Sequence, residues 1–162
     1  MKVSEVAVAS IALFVVSLTA PAVWASEKSQ AEGHISVLPS DLKWSDAPSI
    51  GSGARIAVIE GDLKAAAPFT FRIMLPANFK VGVHTHPVIE HVTVISGTFH
   101  LGIGEQFDPS KARAYTPGGV TIMPPGMPMY AFTTKEETVI QVHGVGPWGI
   151  NYLNPADDPS KK

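Results

Sequence analysis

The stretch "GVHTHPVIEHVTVISG" (residues 82–97) places His84, His86 and Glu90 within seven positions and closes on Gly97. The whole chain holds only 6 histidines, so two of them one residue apart form a concentration. Along an extended strand, side chains i and i+2 leave on the same side, so His84 and His86 point together and can share one metal ion. Pro87 keeps His86 extended and offers no backbone N–H, so the strand is predicted to turn there. Glu90 then opens the next strand and returns to the same interior, with Val92 and Val94 on its face lining the core. Two histidines and a carboxylate are the donor types of the facial set that leaves positions open on a non-haem iron. The same donors hold manganese, zinc, nickel or copper. The other reading is a buried polar network without metal, but a carboxylate sunk among valines without a counter-charge is costly, which favours a cation.

The chain around this stretch reads as strands. "RIAVIEG" from Arg55 is apolar and β-branched, and "FTFRIML" alternates Phe69, Phe71 and Ile73 against Thr70, Arg72 and Met74, the period of a half-buried strand. "HVTVISG" and "TFHLGIG" follow, separated by the turn signal Ser96-Gly97. "DPSKARAYTPGG" reads as a loop, and "VTIMPPG", "MPMYAFT", "ETVIQVHGV" and "GINYL" as further strands. No stretch after Ser26 sustains a helical period. The 14 glycines and 14 prolines fall mostly between the runs and punctuate them. This pattern predicts an all-β sandwich or small barrel. The polar "SEKSQAEG" (26–33) reads as a leader, residues 34–53 as an irregular arm in which Leu38 and Trp44 tuck against the body, and "NPADDPSKK" (154–162) as an exposed polar tail.

Two spacings resemble a known family. His84-x-His86-x3-Glu90-x6-Gly97 matches the first motif of the cupins, and Gly118-x5-Pro124-x-Gly126 matches the opening of their second, at the interval of small single-domain members. The resemblance covers residues 54–153. It implies a jelly-roll β-barrel with a metal site facing the interior, and homodimerisation. Two positions depart from the pattern. Asn78 stands where glycine often opens the first motif, six residues before His84. Met129 stands where the family places a histidine as fourth ligand, with Thr133 in the usual place of an asparagine. The expected metal ligands are therefore His84, His86 and Glu90, with the Met129 thioether as a fourth donor or as filler. Met123 and Met127 lie nearby, and soft thioethers beside two histidines bring copper into the list.

Of the other histidines, His91 falls on the strand face opposite Glu90 and His34 in the leader. His100 and His143 lie within strands, where each is either structural or an inward replacement ligand or acid/base. His143, just after the second motif, is the preferred candidate and joins Glu90 as an expected catalytic residue. Tyr130 and Trp148 read as packing residues.

Bulk properties bound the function. With 162 residues, 45% hydrophobic and 16% charged, the chain is long enough for a real core. A net charge of −2 without a basic cluster argues against nucleic acid as a partner. Without cysteine, disulfides, thiolate catalysis and thiolate metal sites are excluded. "MKVSEVAVASIALFVVSLTAPAVWA" (1–25) carries Lys2, an apolar run to Ala20, the break at Pro21 and a small-x-small Val23-Trp24-Ala25, so it reads as a signal peptide despite Glu5. The alternative is an uncleaved membrane anchor. Cleavage after Ala25 predicts a periplasmic or secreted protein with no membrane attachment. Two functions follow: a metal-dependent, dioxygenase-like oxidoreductase on a small organic molecule, or a non-catalytic module that binds a small molecule or metal, including as a sensor. A pocket that has lost its metal and survives as a scaffold is a third.

Overall fold

Alternation decides the architecture. In strand β3 (Pro68–Leu75), Phe69, Phe71, Ile73 and Leu75 are buried while the residues between them are not. β10 (Thr138–Val145) pairs with it antiparallel over all eight residues, from Thr138 opposite Leu75 to Val145 opposite Pro68. These strands centre a six-stranded sheet in the order β1-β2-β3-β10-β5-β8, with β1 at Ser45–Asp46, β2 at Arg55–Glu60, β5 at Glu90–Ser96 and β8 at Val120–Met123. A five-stranded sheet runs β11-β4-β9-β6-β7, with β4 at Lys80–Thr85, β6 at Phe99–Ile103, β7 at Arg113–Tyr115, β9 at Met129–Phe132 and β11 at Asn151–Tyr152. The computed structural model describes residues 33–161. The signal-peptide reading of residues 1–25, and all of the leader but Gly33, lie outside the described residues.

One apolar core draws on both sheets: Phe69, Phe71, Ile73, Val92, Val94 and Val142 from the first, Val81, Phe99, Leu101, Met129 and Ala131 from the second. Val92 and Val94 are buried on the same face of β5 as Glu90 and join the core, as expected. The arm contributes Ala47 and Ile50 to this core, but Leu38 is exposed, against the expectation that it tucks in. The segment read as a loop between Asp108 and Gly119 contains β7, which pairs with β6 from Phe99–Tyr115 to Leu101–Arg113. Its residues are exposed or half-buried, so an edge strand there leaves no apolar alternation to read. The tail is more than a free end: Pro155–Asp157 forms a 3-10 turn, and the Asp157 side chain lies where a Cβ on Gly82 would come within 2.8 Å of it. Among the described residues no helix is long and apolar enough to cross a membrane.

Turn chemistry sets the register around the candidate site. Gly97, between β5 and β6, has φ +73°, and a Cβ there would stand 2.4 Å from the Glu137 carbonyl oxygen, so only glycine fits. Asn78, the departure from glycine, has φ +55°. Asparagine is among the few side chains that enter this left-handed region readily, so the substitution preserves the turn.

Candidate functional site

β4 delivers His84 to the interior, and His86 follows one residue past its end. Both are 5% exposed. The His84 Nδ1 donates to the Gly82 carbonyl at 2.7 Å and the His86 Nδ1 to the Gly149 carbonyl at 2.6 Å. A carbonyl can only accept, so the proton of each neutral ring sits on Nδ1 and each Nε2 keeps its lone pair. The backbone N–H of Gly126, at φ +74°, donates to the His86 carbonyl at 2.9 Å and ties the second motif to the first. The two rings meet edge to face, centroids 4.9 Å apart.

Glu90 opens β5 after the reversal at Pro87 and is also buried. Its Oε2 lies 3.2 Å from the His86 Nε2, and its Oε1 accepts from the indole Nε1–H of Trp148. Among the described residues no arginine lines its cavity or pairs with it. Burial raises the Glu90 carboxyl to about 7, opposed by the Trp148 hydrogen bond. Burial lowers His84 to about 4 and His86 to about 3, the latter helped by repulsion from His84. Below about pH 7 these directions make the contact a hydrogen bond from a neutral carboxylic acid to a neutral imidazole, not an ion pair.

The three side chains line one cavity of about 50 Å³, enough for a few water molecules, with Met123, Met129 and Trp148 among its otherwise apolar walls. Met129 stands opposite His84 on the β4–β9 pair, and Met123 opposite Glu90 on the β5–β8 pair. Met129 thus occupies the wall where the fourth donor was expected. By donor type the set fits a divalent transition ion: two Nε2 lone pairs whose tautomers are fixed behind them, and a carboxyl. It is not an assembled cluster, however. Among the described residues, no three or more His, Cys, Asp or Glu side chains are arranged to hold an ion.

The structure keeps the other expected catalytic residue away. His143 is exposed on the outer face of β10, stacked on its cross-strand partner His91 with centroids 4.6 Å apart and planes 11° from parallel. The reason is parity: Ile140 and Val142 point inward, so Gln141 and His143 point out. His91 is outward, as read. His100 is half-buried against Phe132 and does not line the cavity, and His34 is exposed. Trp148 is the residue the sequence reading undervalued. Its one usable signal is general: a buried indole N–H requires an acceptor.

No family model matches the sequence, and no curated protein does. Solved structures do. The chain is similar to the polyketide cyclase RemF from Streptomyces resistomycificus (15% identity, TM-score 0.65, 79% of this chain and 91% of that one). It is similar to an RmlC-like cupin from Ralstonia eutropha JMP134 (13% identity, TM-score 0.58, 76% and 75%). It also resembles the DMSP lyase DddQ from Ruegeria pomeroyi DSS-3 (13% identity, TM-score 0.57, 77% and 74%). At these identities the likeness establishes the fold: an all-β, two-sheet fold of the cupin type.

Proposed function

We propose that this protein is an exported small-molecule-binding module whose pocket holds a divalent transition metal on His84, His86 and Glu90, with the Met129 thioether beside them. One observation carries the reading. With both Nδ1 atoms committed to carbonyls, the His86 Nε2 and the Glu90 Oε2, 3.2 Å apart, are two acceptors once Glu90 is ionised. Such a pair needs a proton or a cation between its members. In the metal-free protein the proton of neutral Glu90 serves, and at neutral pH a divalent ion can replace it.

Each residue then has a part. The Gly82 and Gly149 carbonyls orient the imidazoles and raise their basicity. The apolar walls exclude water and receive the carbon body of a ligand. When bound, the ion supplies Lewis acidity and open positions for a ligand's polar atom. A cavity this small admits a molecule of a few heavy atoms or the end of a larger one. Iron, manganese, zinc, nickel and copper all suit these donors, the thioethers weighing toward copper.

A second reading, a dioxygenase-like oxidoreductase, draws on the protonation of Glu90. A carboxyl at about 7 can both take and give a proton near neutral pH. Two of the similar structures are named for different reactions, a cyclase and a lyase, and the fold does not choose between catalysis and binding.

Elemental analysis of protein purified from its native compartment tests the proposal. The expected result is one transition metal per chain, lost in Glu90→Gln. No metal at any stoichiometry sinks it in favour of a scaffold. Oxygen consumption by the loaded protein on phenols, thiols or diketones would move it to the oxidoreductase reading.

A further inference from the structure

Trp148 is held from several sides. Its backbone N–H donates to the Leu63 carbonyl at 2.7 Å. Its ring meets the buried Phe71 edge-on at 5.0 Å and 70°, and stacks on His86 at 5.7 Å and 25°. The indole N–H therefore has a fixed direction, and what it meets there is the Glu90 Oε1. A carboxylate has two oxygens to offer. With Oε1 taken, the one left is Oε2, which already faces the His86 Nε2.

We propose that Trp148 is the positioning residue of this site: by engaging Glu90 Oε1 it makes Glu90 a one-oxygen metal donor and holds Oε2 beside the His86 lone pair. The inference rests on the metal-binding reading. A ring needed only for packing would require no N–H, whereas this N–H is spent on the one carboxyl that lines the cavity among the described residues. The same ring covers one face of His86, so a single side chain orients two of the three donors. Outer partners of this kind typically contribute 10–100-fold to metal affinity.

Trp148→Phe keeps the ring and removes the donor. The purified protein and this variant are titrated with Zn(II) and Mn(II) as the metals alone, beside Glu90→Gln to identify the site. The expected result is a 10–100-fold loss of affinity in Trp148→Phe, alongside the fall in melting temperature that an unmatched buried Glu90 Oε1 brings, in a variant that still unfolds cooperatively. In infrared difference spectra of the Mn(II)-loaded forms, the Glu90 carboxylate bands, identified by their absence from Glu90→Gln, should show the wide stretching interval of one-oxygen coordination. In Trp148→Phe that interval should narrow. Equal affinity and an equal interval overturn the positioning role and leave the metal reading standing. A wild-type protein that binds neither metal overturns both. Should Trp148→Phe fail to fold, the indole N–H resonance of Zn(II)-loaded wild type decides. It should stay in its hydrogen-bonded position, and a shift to the free position on loading overturns the proposal.

Discussion

Met129 stands directly across the β4–β9 pair from His84, both buried in the wall of one cavity. Cross-strand partners share a face and lie within side-chain reach of each other. On the proposed metal-binding reading, a nitrogen donor placed at 129 would add a fourth donor to His84, His86 and Glu90. Met129→His is therefore expected to raise Zn(II) affinity by at least about tenfold, as four-ligand zinc sites exceed three-ligand ones. Competition against a chelator of known affinity measures it. An unchanged affinity would show that position 129 cannot reach the ion.

Burial gives the site opposed pH dependences. Glu90 titrates near 7 in the folded protein and near 4.5 unfolded. Its contribution to stability is complete below 4.5 and is lost as pH rises through 7. The imidazoles run the other way, at about 4 and 3 folded against 6.5 unfolded. Their contribution is present above 6.5 and is lost as pH falls through 4 and 3. Two groups oppose one, so from these three acidification below 6.5 destabilises. Near pH 5 the balance is roughly one proton, on the order of 1 kcal/mol per pH unit, and it steepens little below 4.5, because His84 itself takes up its proton near 4 in the folded protein. Denaturant unfolding of metal-free protein at pH 4, 5.5 and 7 tests the trend. Glu90→Gln isolates one part: the variant should gain on the wild type between pH 4.5 and 7. Parallel curves for the two proteins would show that Glu90 ionises as an ordinary carboxyl.

His143 makes the plainest local prediction. It is exposed on the outer face of the six-stranded sheet, against His91 and away from the cavity. His143→Ala is expected to leave metal affinity unchanged within about twofold, since surface substitutions away from such features usually stay within roughly 0.5 kcal/mol. The same titration that measures Met129→His would detect a loss, and a tenfold loss would mean that β10 presents its other face in solution.

How much of this could be read from the chain follows from what each residue packs against. β3 was legible because a strand with one buried face must alternate, and Phe69, Phe71 and Ile73 do. The paired histidines, Glu90 and the Gly97 turn were legible because spacing alone places them. The outward turn of His143 is legible by the same rule, in the parity of Ile140 and Val142, whereas its place just after the second motif points the other way. β7 was hidden because an exposed edge strand buries nothing on either face. The engagement of Trp148 with Glu90, 58 positions apart and outside any strand, has no periodic trace at all.

Thr133, in the usual place of an asparagine, supplies a last test. Its buried hydroxyl donates to the Pro76 carbonyl at 2.5 Å and accepts from the Phe79 N–H at 2.9 Å, so one oxygen satisfies both sides of the turn that carries Asn78 into β4. Valine keeps the shape and removes both bonds. Leaving a buried donor or acceptor unmatched costs about 1–3 kcal/mol each, so Thr133→Val is expected to lose on the order of 2–4 kcal/mol. Urea unfolding reads this as a lower midpoint at constant slope. The effect should extend to the site, because the turn sets where β4 begins and hence where His84 lies along it. Metal affinity should fall in the same variant, and Thr133→Ser, which retains the hydroxyl, should restore most of both. A serine variant as unstable as the valine one would mean that the methyl group, and not the paired hydrogen bonds, holds the turn.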